Sequence, residues 1–367
     1  MKKSLVALAL GASVLSAGLV GCVDNTAEIA VVTDVGLLMD GGFNQGTYEG
    51  AKKYAEEHGK SYKYYQPANG SSATDEDRIE AMRNAIKNGA KIIVAPGFLQ
   101  ATAMETVAKE SPNVKFVFVD GWALGLDNVT AIVYKEQESG FLAGYAAVKD
   151  GFTKLGGTFG GGGANPACNR FAYGFAQGAN AAATQMNLTA PVEMKVSFKY
   201  GSAFSASPEL QAQISGWYNA GTEVVFSCGG SMVNSVIAAA QAATDKWVIG
   251  VDVDQAALYN KVLTSAVKGL APSVERVLGQ FYEGKWDDEL KNIAQNLGAA
   301  EDATGLPTAD GSWRFRNFTK AEYNSLFEKV AAGTIAIDAT TASNMDDTAA
   351  WAAIDANLSH ITIELDK

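Results

Sequence analysis

The sequence predicts an α/β protein of two lobes, each built on a mostly parallel sheet with helices on its faces. Runs rich in β-branched and aromatic residues alternate with segments of helical periodicity along most of the chain. Some strand runs, such as residues 116–119, are apolar throughout, which is typical of strands buried on both faces. The chain has 367 residues, too many for one compact core, so we expect two lobes.

The first lobe is predicted to begin after a short tether. Its strands are expected at residues 29–33, 62–65, 91–95, 115–119 and 132–134. Its helices are expected at residues 45–57, 76–87 and about 100–109, where apolar residues recur with helical spacing. Because strands and helices alternate, neighbouring strands should pair in parallel.

A second series of the same kind follows a helix near residues 140–147. Its strands are expected at residues 155–159, 192–198, 223–226 and 247–251. Its helices are expected at residues 170–184, 208–218 and 233–243. Two consecutive doubly wound units imply two Rossmann-like lobes joined by a hinge. In such sheets ligands bind beyond the carboxyl ends of the strands, so the cleft between the lobes is the expected site.

The remaining elements are assigned to the two lobes in turn. A strand at residues 262–267 and a helix at 273–282 suggest a return to the first lobe. We therefore expect residues 28–134 with 254–290 in the first lobe, and residues 135–253 with 291–340 in the second. Residues 341–367 are expected to be an acidic C-terminal extension, with a helix at 347–357 and a strand at 361–366, and they carry no functional signal.

The N-terminus has the features of an export signal. Lys2 and Lys3 precede an apolar stretch over residues 4–20, which ends in Leu19-Val20-Gly21-Cys22. The alternative is an uncleaved anchor helix, but about 17 apolar residues are at the short limit for a membrane span. The last four residues resemble the lipobox of bacterial lipoproteins. This resemblance implies that residues 1–21 are a signal peptide, that Cys22 carries lipid such as palmitate, and that residues 22–27 tether the chain outside the cell membrane.

Composition excludes several classes of function. The 40 Asp and Glu residues outnumber the 29 Lys and Arg residues, for a formal net charge of −11, so we expect no binding to nucleic acid. The only histidines are His58 and His360, too few for a histidine-based triad or a multi-histidine metal site. The glycine-rich run 156–163 lacks the Gly-Lys-Ser/Thr of a phosphate loop and is interpreted as a turn that lets the lobes approach. We expect no catalytic residues, no metal and no cofactor.

Two cysteines remain if Cys22 is lipidated. Cys168 and Cys228 both follow predicted strands, and an exported chain permits disulfides. The sequence gives no distance between them, so a disulfide and two buried free thiols both stay open.

The densest set of polar residues lies at residues 33–45, where a strand end leads through a glycine-rich turn into a helix. Asp34, Asp40, Phe43 and Asn44 lie in this segment. In a purely structural role, Asn44 would cap the helix, Asp40 would lie in the turn, and Phe43 would pack onto its own helix. In a binding role, Phe43 would offer a flat surface for stacking against a ring.

Several segments, in order along the chain, resemble one known family. They are Asp34-x-Gly36 with Asp40 and Phe43-Asn44-Gln45, Phe118-Val119-Asp120-Gly121, Glu138-Ser139-Gly140, Arg170-Phe171 with Gly174-Phe175 and Gly178, Gly250-Val251-Asp252-x-Asp254-Gln255, and Thr264-Ser265-Ala266-Val267-Lys268. They are similar to the basic membrane protein family, ABC-transporter substrate-binding lipoproteins that include purine nucleoside receptors. The resemblance runs from about residue 28 to residue 337. It implies the type I periplasmic-binding-protein fold and no enzymatic activity.

The resemblance also implies a ligand site and partners. Phe43 and Phe204 would sandwich a purine base, and Asn44 and Asp120 would hydrogen-bond to its edge. Three further charged residues would bind the ribose: Asp34, Asp252 and Lys268. A carboxylate can accept two hydrogen bonds from a ribose diol, and a lysine offsets buried negative charge. The alternative for the three strand-end charges is a cap or a hinge ion pair. The implied partners are a nucleoside and an ABC permease, and we expect a monomer.

This chain departs from the family pattern at two places. Gly41 and Gly42 replace a lysine and a serine that are common before the phenylalanine. Around Phe204 there is an extra alanine, and the usual aspartate is missing, so the second stacking residue could instead be one of three other aromatics: Phe198, Tyr200 or Trp217. Trp122 is a further candidate for the cavity wall, although core packing is the commoner fate of a tryptophan.

The leading hypothesis is a lipid-anchored receptor that closes its lobes around a nucleoside and delivers it to an ABC permease. Three alternatives stay open. The same fold could bind a flavin or a sugar, or it could act as a sensory receptor. A secreted nucleoside hydrolase using Asp34 and Asp40 around a cation is the alternative from a different class.

Overall fold

The structure is a computed structural model that describes residues 26–201, 203–355 and 357–367. The expected signal peptide and Cys22 lie outside the described residues. Within that part of the chain, no helix combines the length and the apolar character that crossing a membrane requires.

The first lobe contains a six-stranded parallel sheet. Its first five strands are β1 (Ile29–Val32), β2 (Tyr62–Tyr65), β3 (Ile92–Pro96), β4 (Lys115–Val119) and β5 (Val129–Tyr134). The helices between them are α1 (Phe43–Glu57), α2 (Asp75–Lys87) and α3 (Ala101–Glu110). A Thr74 capping box fixes the start of α2. Strands β1, β3 and β4 are apolar and buried on both faces, as the sequence predicts.

The second lobe is built around a seven-stranded sheet. Its first strands are β6 (Lys154–Phe159), β7 (Val192–Ser197), β8 (Val224–Cys228), β9 (Trp247–Asp252) and β10 (Val262–Lys268). The helices are α4 (Glu136–Lys149), α5 (Pro166–Gln185), α6 (Pro208–Asn219) and α7 (Met232–Gln241). Helices α4 and α5 pack closely because glycines, which have no side chain, lie where the two backbones approach each other. A Cβ atom at Gly178, for example, would lie 1.9 Å from the Phe141 carbonyl oxygen.

The rest of the chain passes from one lobe to the other. Its elements are α8 (Leu270–Tyr282), β11 (Ala294–Leu297), β12 (Thr304–Gly305), α9 (Lys320–Ala331), α10 (Thr348–Asp355) and β13 (Ile361–Leu365). The strand orders are β11-β5-β4-β3-β1-β2 in the first sheet and β12-β10-β9-β8-β6-β7-β13 in the second. The chain therefore crosses between the lobes three times: after β5, after β10 and between β11 and β12.

The start of α4 connects these three crossovers. The Ser139 hydroxyl donates to the Val267 carbonyl at 2.6 Å and accepts from the Gly305 amide at 2.9 Å. The Glu138 carboxylate accepts from the Ala299 amide at 2.6 Å and from the Thr304 hydroxyl at 2.8 Å. The hinge is therefore a hydrogen-bonded cluster.

Three expected boundaries are wrong. Strand β10 pairs with β9 in the second sheet, although residues 254–290 were expected in the first lobe. Strand β11 pairs with β5 in the first sheet, although residues 291–340 were expected in the second lobe. Residues 341–367 are an integral part of the second lobe, because β13 pairs with β7 and Trp351 is buried in its core. An apolar pattern shows that a strand is buried, and several sheets can satisfy it.

Candidate functional site

A cavity of about 270 Å³ lies between the two lobes, at the carboxyl ends of the strands. This is near the lower end of the usual range for small-molecule pockets, roughly 300–1,000 Å³. All seven residues expected in the ligand site line it: Asp34, Phe43, Asn44, Asp120, Phe204, Asp252 and Lys268. The topology explains this, because parallel strands bring their carboxyl ends to one edge of each sheet.

The turn between β1 and α1 is organised by Asp40. Its carboxylate accepts from the backbone amides of Gly42 at 2.8 Å, Asn44 at 3.1 Å and Gln45 at 3.2 Å. Asp40 therefore satisfies the free amides at the start of α1, and the alternative role of Asn44 as the helix cap is wrong. Asn44 lies inside the helix, and its side-chain amide donates to the Val35 carbonyl at 3.0 Å.

Asp34 is a buried carboxylate paired with a buried arginine. Its Oδ1 lies 3.5 Å from Nε of Arg78, which projects from α2. Burial raises the pKa of Asp34 to about 6, although Arg78 works in the opposite direction. Gly97 makes room for this carboxylate: it has φ +99°, and a Cβ atom there would lie 1.9 Å from Oδ2.

The centre of the site is Lys268, at the end of β10 and beside a crossover. Its ammonium lies 2.5 Å from Asp120 Oδ2, 3.4 Å from Glu136 Oε1 and 3.7 Å from Asp252 Oδ1. Arg170 of α5 donates to the other Glu136 oxygen at 2.6 Å. Strand-end charges from both lobes thus meet at the hinge.

Burial shifts the proton equilibria of this cluster. It raises the pKa of Asp252 to about 7, despite the attraction of Lys268, and it also raises the pKa of Asp120. Burial alone would lower the pKa of Lys268, but the three neighbouring carboxylates raise it well above its usual value. Lys268 is therefore a permanent cation, whereas Asp252 can change its charge near neutral pH.

Aromatic rings cover both sides of the cavity. Phe43 contributes from the first lobe, and Phe171 and Phe204 contribute from the second. The Lys268 ammonium lies 5.2 Å from the centroid of Phe43 and 5.4 Å from that of Phe171, within the range of cation–π attraction. The site thus combines flat apolar surfaces with a small number of charged groups.

Phe204 is held by close contacts with glycine. It has φ +54°, and Cβ atoms at Gly160 and Gly229 would lie 2.4 Å and 3.0 Å from its ring. The expectation that the run 156–163 lets the lobes approach is therefore wrong, since Gly160 contacts a side chain of its own lobe. Phe198 and Trp217 are buried in the core of the second lobe, and Tyr200 packs beside it.

Trp122 lies on the cavity wall rather than in the core. Its side chain is 49% exposed, and its ring packs against Phe118 at a centroid distance of 5.3 Å. Three residues of the site or its surroundings were not expected from the sequence: Glu136, Phe98 and Phe171. Glu136 opens α4, where an acidic residue usually serves the helix dipole, so no sequence pattern distinguished it.

The two cysteines are buried free thiols on the cavity wall. Cys168 lies in the first turn of α5, where its amide donates to the capping side chain of Asn165 at 2.9 Å. Burial raises the pKa of the Cys228 thiol. Of the two forms left open by the sequence, the structure shows the free thiols.

The geometry gives no support to hydrolysis around a cation. Among the described residues, no three His, Cys, Asp or Glu side chains gather into a group that could hold a metal ion. The Asp40 carboxylate serves the α1 amides, and Asp254 accepts from the Ser312 hydroxyl instead of facing the cavity. Two lobes, a hinge and an aromatic cleft define a ligand-binding protein.

Comparison with known proteins gives the same class. A family model described as ABC transporter substrate-binding protein PnrA-like matches residues 27–337. The ABC transporter nucleoside-binding protein BmpA of Lactococcus lactis is 29% identical, and the alignment covers 81% of this chain and 92% of that protein. The CD4+ T-cell-stimulating antigen of Listeria monocytogenes is 28% identical, with 83% and 91% covered.

Solved structures share the fold. A solute-binding protein of an ABC transporter system from Aeropyrum pernix superposes with a TM-score of 0.71 at 21% identity, covering 90% of this chain and 96% of that one. The chain belongs to the PnrA-like family of ABC transporter substrate-binding proteins. The expected family, the type I periplasmic-binding-protein fold, the extracytoplasmic location of the class and the absence of enzymatic activity are thereby confirmed.

Proposed function

We propose that the chain binds a purine nucleoside in the interlobe cavity and delivers it to an ABC permease. The observation that carries this proposal is the pairing of two half-buried phenylalanines, Phe43 and Phe204, one from each lobe, on a single cavity. A planar base between two rings gains stacking on both faces. The name of the Lactococcus lactis relative supports the same ligand class.

The charges around the cavity favour an unphosphorylated ligand. Five carboxylates and three cations lie around the cavity. The carboxylates are those of Asp34, Asp40, Asp120, Glu136 and Asp252, and the cations are Arg78, Arg170 and Lys268. A phosphate monoester would add a charge of about −1.5 to −2 to this acidic surrounding. Ribose hydroxyls can instead donate to Asp252 and Asp34, which are both carboxylates at strand ends.

Calorimetric titration of the chain from Val23, freed of ligand by unfolding and refolding, tests the proposal. Guanosine and inosine should bind, whereas guanosine monophosphate, riboflavin and ribose should bind at least tenfold more weakly. Phe43→Ala and Phe204→Ala should each weaken guanosine binding by roughly 10- to 100-fold, since one stack contributes about 1–3 kcal/mol. Phe327→Ala is the matched control, because that ring packs on the second-lobe core away from the cavity.

Either of two results would contradict the proposal. Equal affinity for guanosine and riboflavin would show a general aromatic site. Guanosine affinity that is unchanged in both phenylalanine variants would place the ligand elsewhere.

We also propose that lipid on Cys22 anchors a monomeric receptor to the outer face of the cell membrane. Support comes from the lipobox-like segment Leu19-Val20-Gly21-Cys22 and from the family membership. Cys22→Ala should release the chain from membranes in fractionation, and a variant that remains in the membrane fraction would contradict the lipid anchor.

A further inference from the structure

A second contact between the lobes lies beside the cavity, at residues that do not line it. Gln255 follows β9, and its side chain is 1% exposed. Its Nε2 donates to the carbonyl of Gly41 at 2.8 Å. Gly41 belongs to the turn between β1 and α1, which also carries Asp40 and leads directly into Phe43. One hydrogen bond therefore connects the second lobe to the loop that presents the first aromatic wall.

Gln255 is fixed on the second lobe by two other bonds. The side-chain oxygen Oε1 of Gln255 accepts from the Val251 amide at 3.0 Å. The backbone amide of Gln255 donates to the Ser265 hydroxyl at 3.0 Å. Gly250 leaves space for the side chain, because a Cβ atom there would lie 2.4 Å from Oε1. Because β9 and β10 hold Oε1 and the backbone of Gln255 in place, the side-chain nitrogen Nε2 is directed at the first lobe.

On the other side of the contact, the backbone conformation of Gly41 is one that favours glycine. Gly41 has φ +69°, and a Cβ atom on it would meet the Leu258 side chain at 3.6 Å. A Cβ atom on Gly42 would lie 3.6 Å from the Gly230 carbonyl oxygen and 3.8 Å from Gln255 Nε2.

We propose that Gln255 is a positioning residue for the ligand site. Its bond to Gly41 holds the Phe43 turn against the second lobe, and so slows the opening that releases a bound ligand. This inference rests on the proposed function for its ligand, but the bond itself is between protein groups. Because the amide does not line the cavity, it acts through the turn and makes no contact with the ligand.

Gln255→Glu separates the two bonds of the side chain. In its ionised form, the carboxylate still accepts from the Val251 amide but cannot donate to the Gly41 carbonyl, whereas a protonated carboxyl group could still donate. Gln255→Met, of similar length, removes both bonds and tests whether the result depends on the added charge. Gln45→Glu is the matched control. Gln45 Oε1 accepts from the amide of the same Gly41 at 3.1 Å, within the first lobe, and a carboxylate keeps that bond.

Stopped-flow measurement of guanosine dissociation gives the main result. Both Gln255 variants should release guanosine about tenfold faster, with an association rate changed less than twofold, because one buried hydrogen bond of the closed state is lost. Gln45→Glu should stay within twofold of the wild type for both rates. A purely structural defect would lower the association rate as well. Unchanged dissociation in Gln255→Met, which has no donor at any pH, with the wild type binding normally, would overturn the inference.

Amide hydrogen exchange in the ligand-free chain provides a test that needs no nucleoside. A peptide covering residues 40–46 should exchange at least threefold faster in both Gln255 variants, whereas a peptide covering α2 should not change. If the wild type binds no nucleoside, the proposed function fails and this comparison alone decides the role of Gln255. Equal exchange in the wild type and both variants would overturn the inference.

Discussion

Asp120 and Asp252 occupy equivalent places in the two lobes. Asp120 directly follows β4 and Asp252 is the last residue of β9, the fourth strands of their lobes, and each has a positive φ, 57° for Asp120 and 66° for Asp252. Aspartate tolerates this left-handed conformation better than most residues. Both carboxylates point at the same ammonium group, that of Lys268. The two lobes thus place an aspartate with the same backbone conformation at the end of equivalent strands, β4 and β9.

The two aspartates differ in how closely they approach the lysine. Asp120 is hydrogen-bonded to Lys268 at 2.5 Å, whereas Asp252 approaches it only to 3.7 Å. Gly121 after Asp120 packs on the Phe118 ring, where a Cβ atom would lie 2.1 Å away, while Val253 after Asp252 packs against the first-lobe core. Asp120 therefore holds the lysine more closely than Asp252 does, through Oδ2, and the buried Oδ1 of Asp120 has no hydrogen-bond partner among the described residues.

Removing the shared lysine should have the largest effect on stability. Lys268→Met leaves the buried carboxylates without their cation, so the free energy of unfolding should fall by about 3–5 kcal/mol in urea denaturation. Lys261→Met is the control, since its partner Asp245 is on the surface and the loss should stay below about 1 kcal/mol. Similar losses in the two variants would show that the hinge cluster contributes no more than a surface pair.

The next largest effect is the difference between substitutions of the two aspartates in the free energy of unfolding. Asp120→Asn weakens a charge-assisted hydrogen bond to a buried lysine and should cost about 1–3 kcal/mol at pH 7.5. Asp252→Asn should cost less than about 1 kcal/mol, because burial already disfavours the ionised form of that side chain. Urea denaturation of both variants measures the difference. Equal losses would remove the distinction drawn from the two distances.

Much of this site could be predicted from the sequence because of where its residues lie. Asp120, Asp252 and Lys268 end apolar strand runs, and the carboxyl ends of parallel strands meet at one edge of a sheet. Phe43 is the first residue of α1 and directly follows a glycine-rich turn, a position that the sequence pattern locates. The family resemblance then supplied a chemical role for each of these positions.

The errors arose where burial does not determine the partner. The apolar pattern of β10 fits either sheet, and only the crossovers decide that it joins β9. The carboxylate of Asp40 caps α1 although Asp40 lies two residues before the N-cap position, Gly42. Capping side chains usually belong to the N-cap residue itself, and this rule pointed to Asn44 instead of Asp40. Gln255 belongs to a segment that resembles the family, but its contact could not be predicted, because its partner is a backbone carbonyl in the other lobe.

The smallest expected effect is on the pH dependence of stability, and it separates Asp252 from Asp34. Burial raises the pKa of Asp252 to about 7 and that of Asp34 to about 6, whereas an unfolded aspartate titrates near about 3.9. Between the unfolded and folded values, the folded chain binds more protons than the unfolded one. The contribution of each group is therefore complete below pH ~4, and it is lost as pH rises through its folded pKa.

Urea denaturation between pH 5 and pH 8 should resolve the two groups. From pH 6 to 7 the contribution of Asp34 is already lost, so Asp252 should dominate a fall in stability of at most about 1.4 kcal/mol per pH unit. Asp252→Asn should flatten this interval, whereas Asp34→Asn should flatten mainly the interval below pH 6. A wild-type slope that persists in Asp252→Asn between pH 6 and 7 would mean that a group other than Asp252 titrates in this interval, and the asymmetry between the two aspartates would then lie in distance alone.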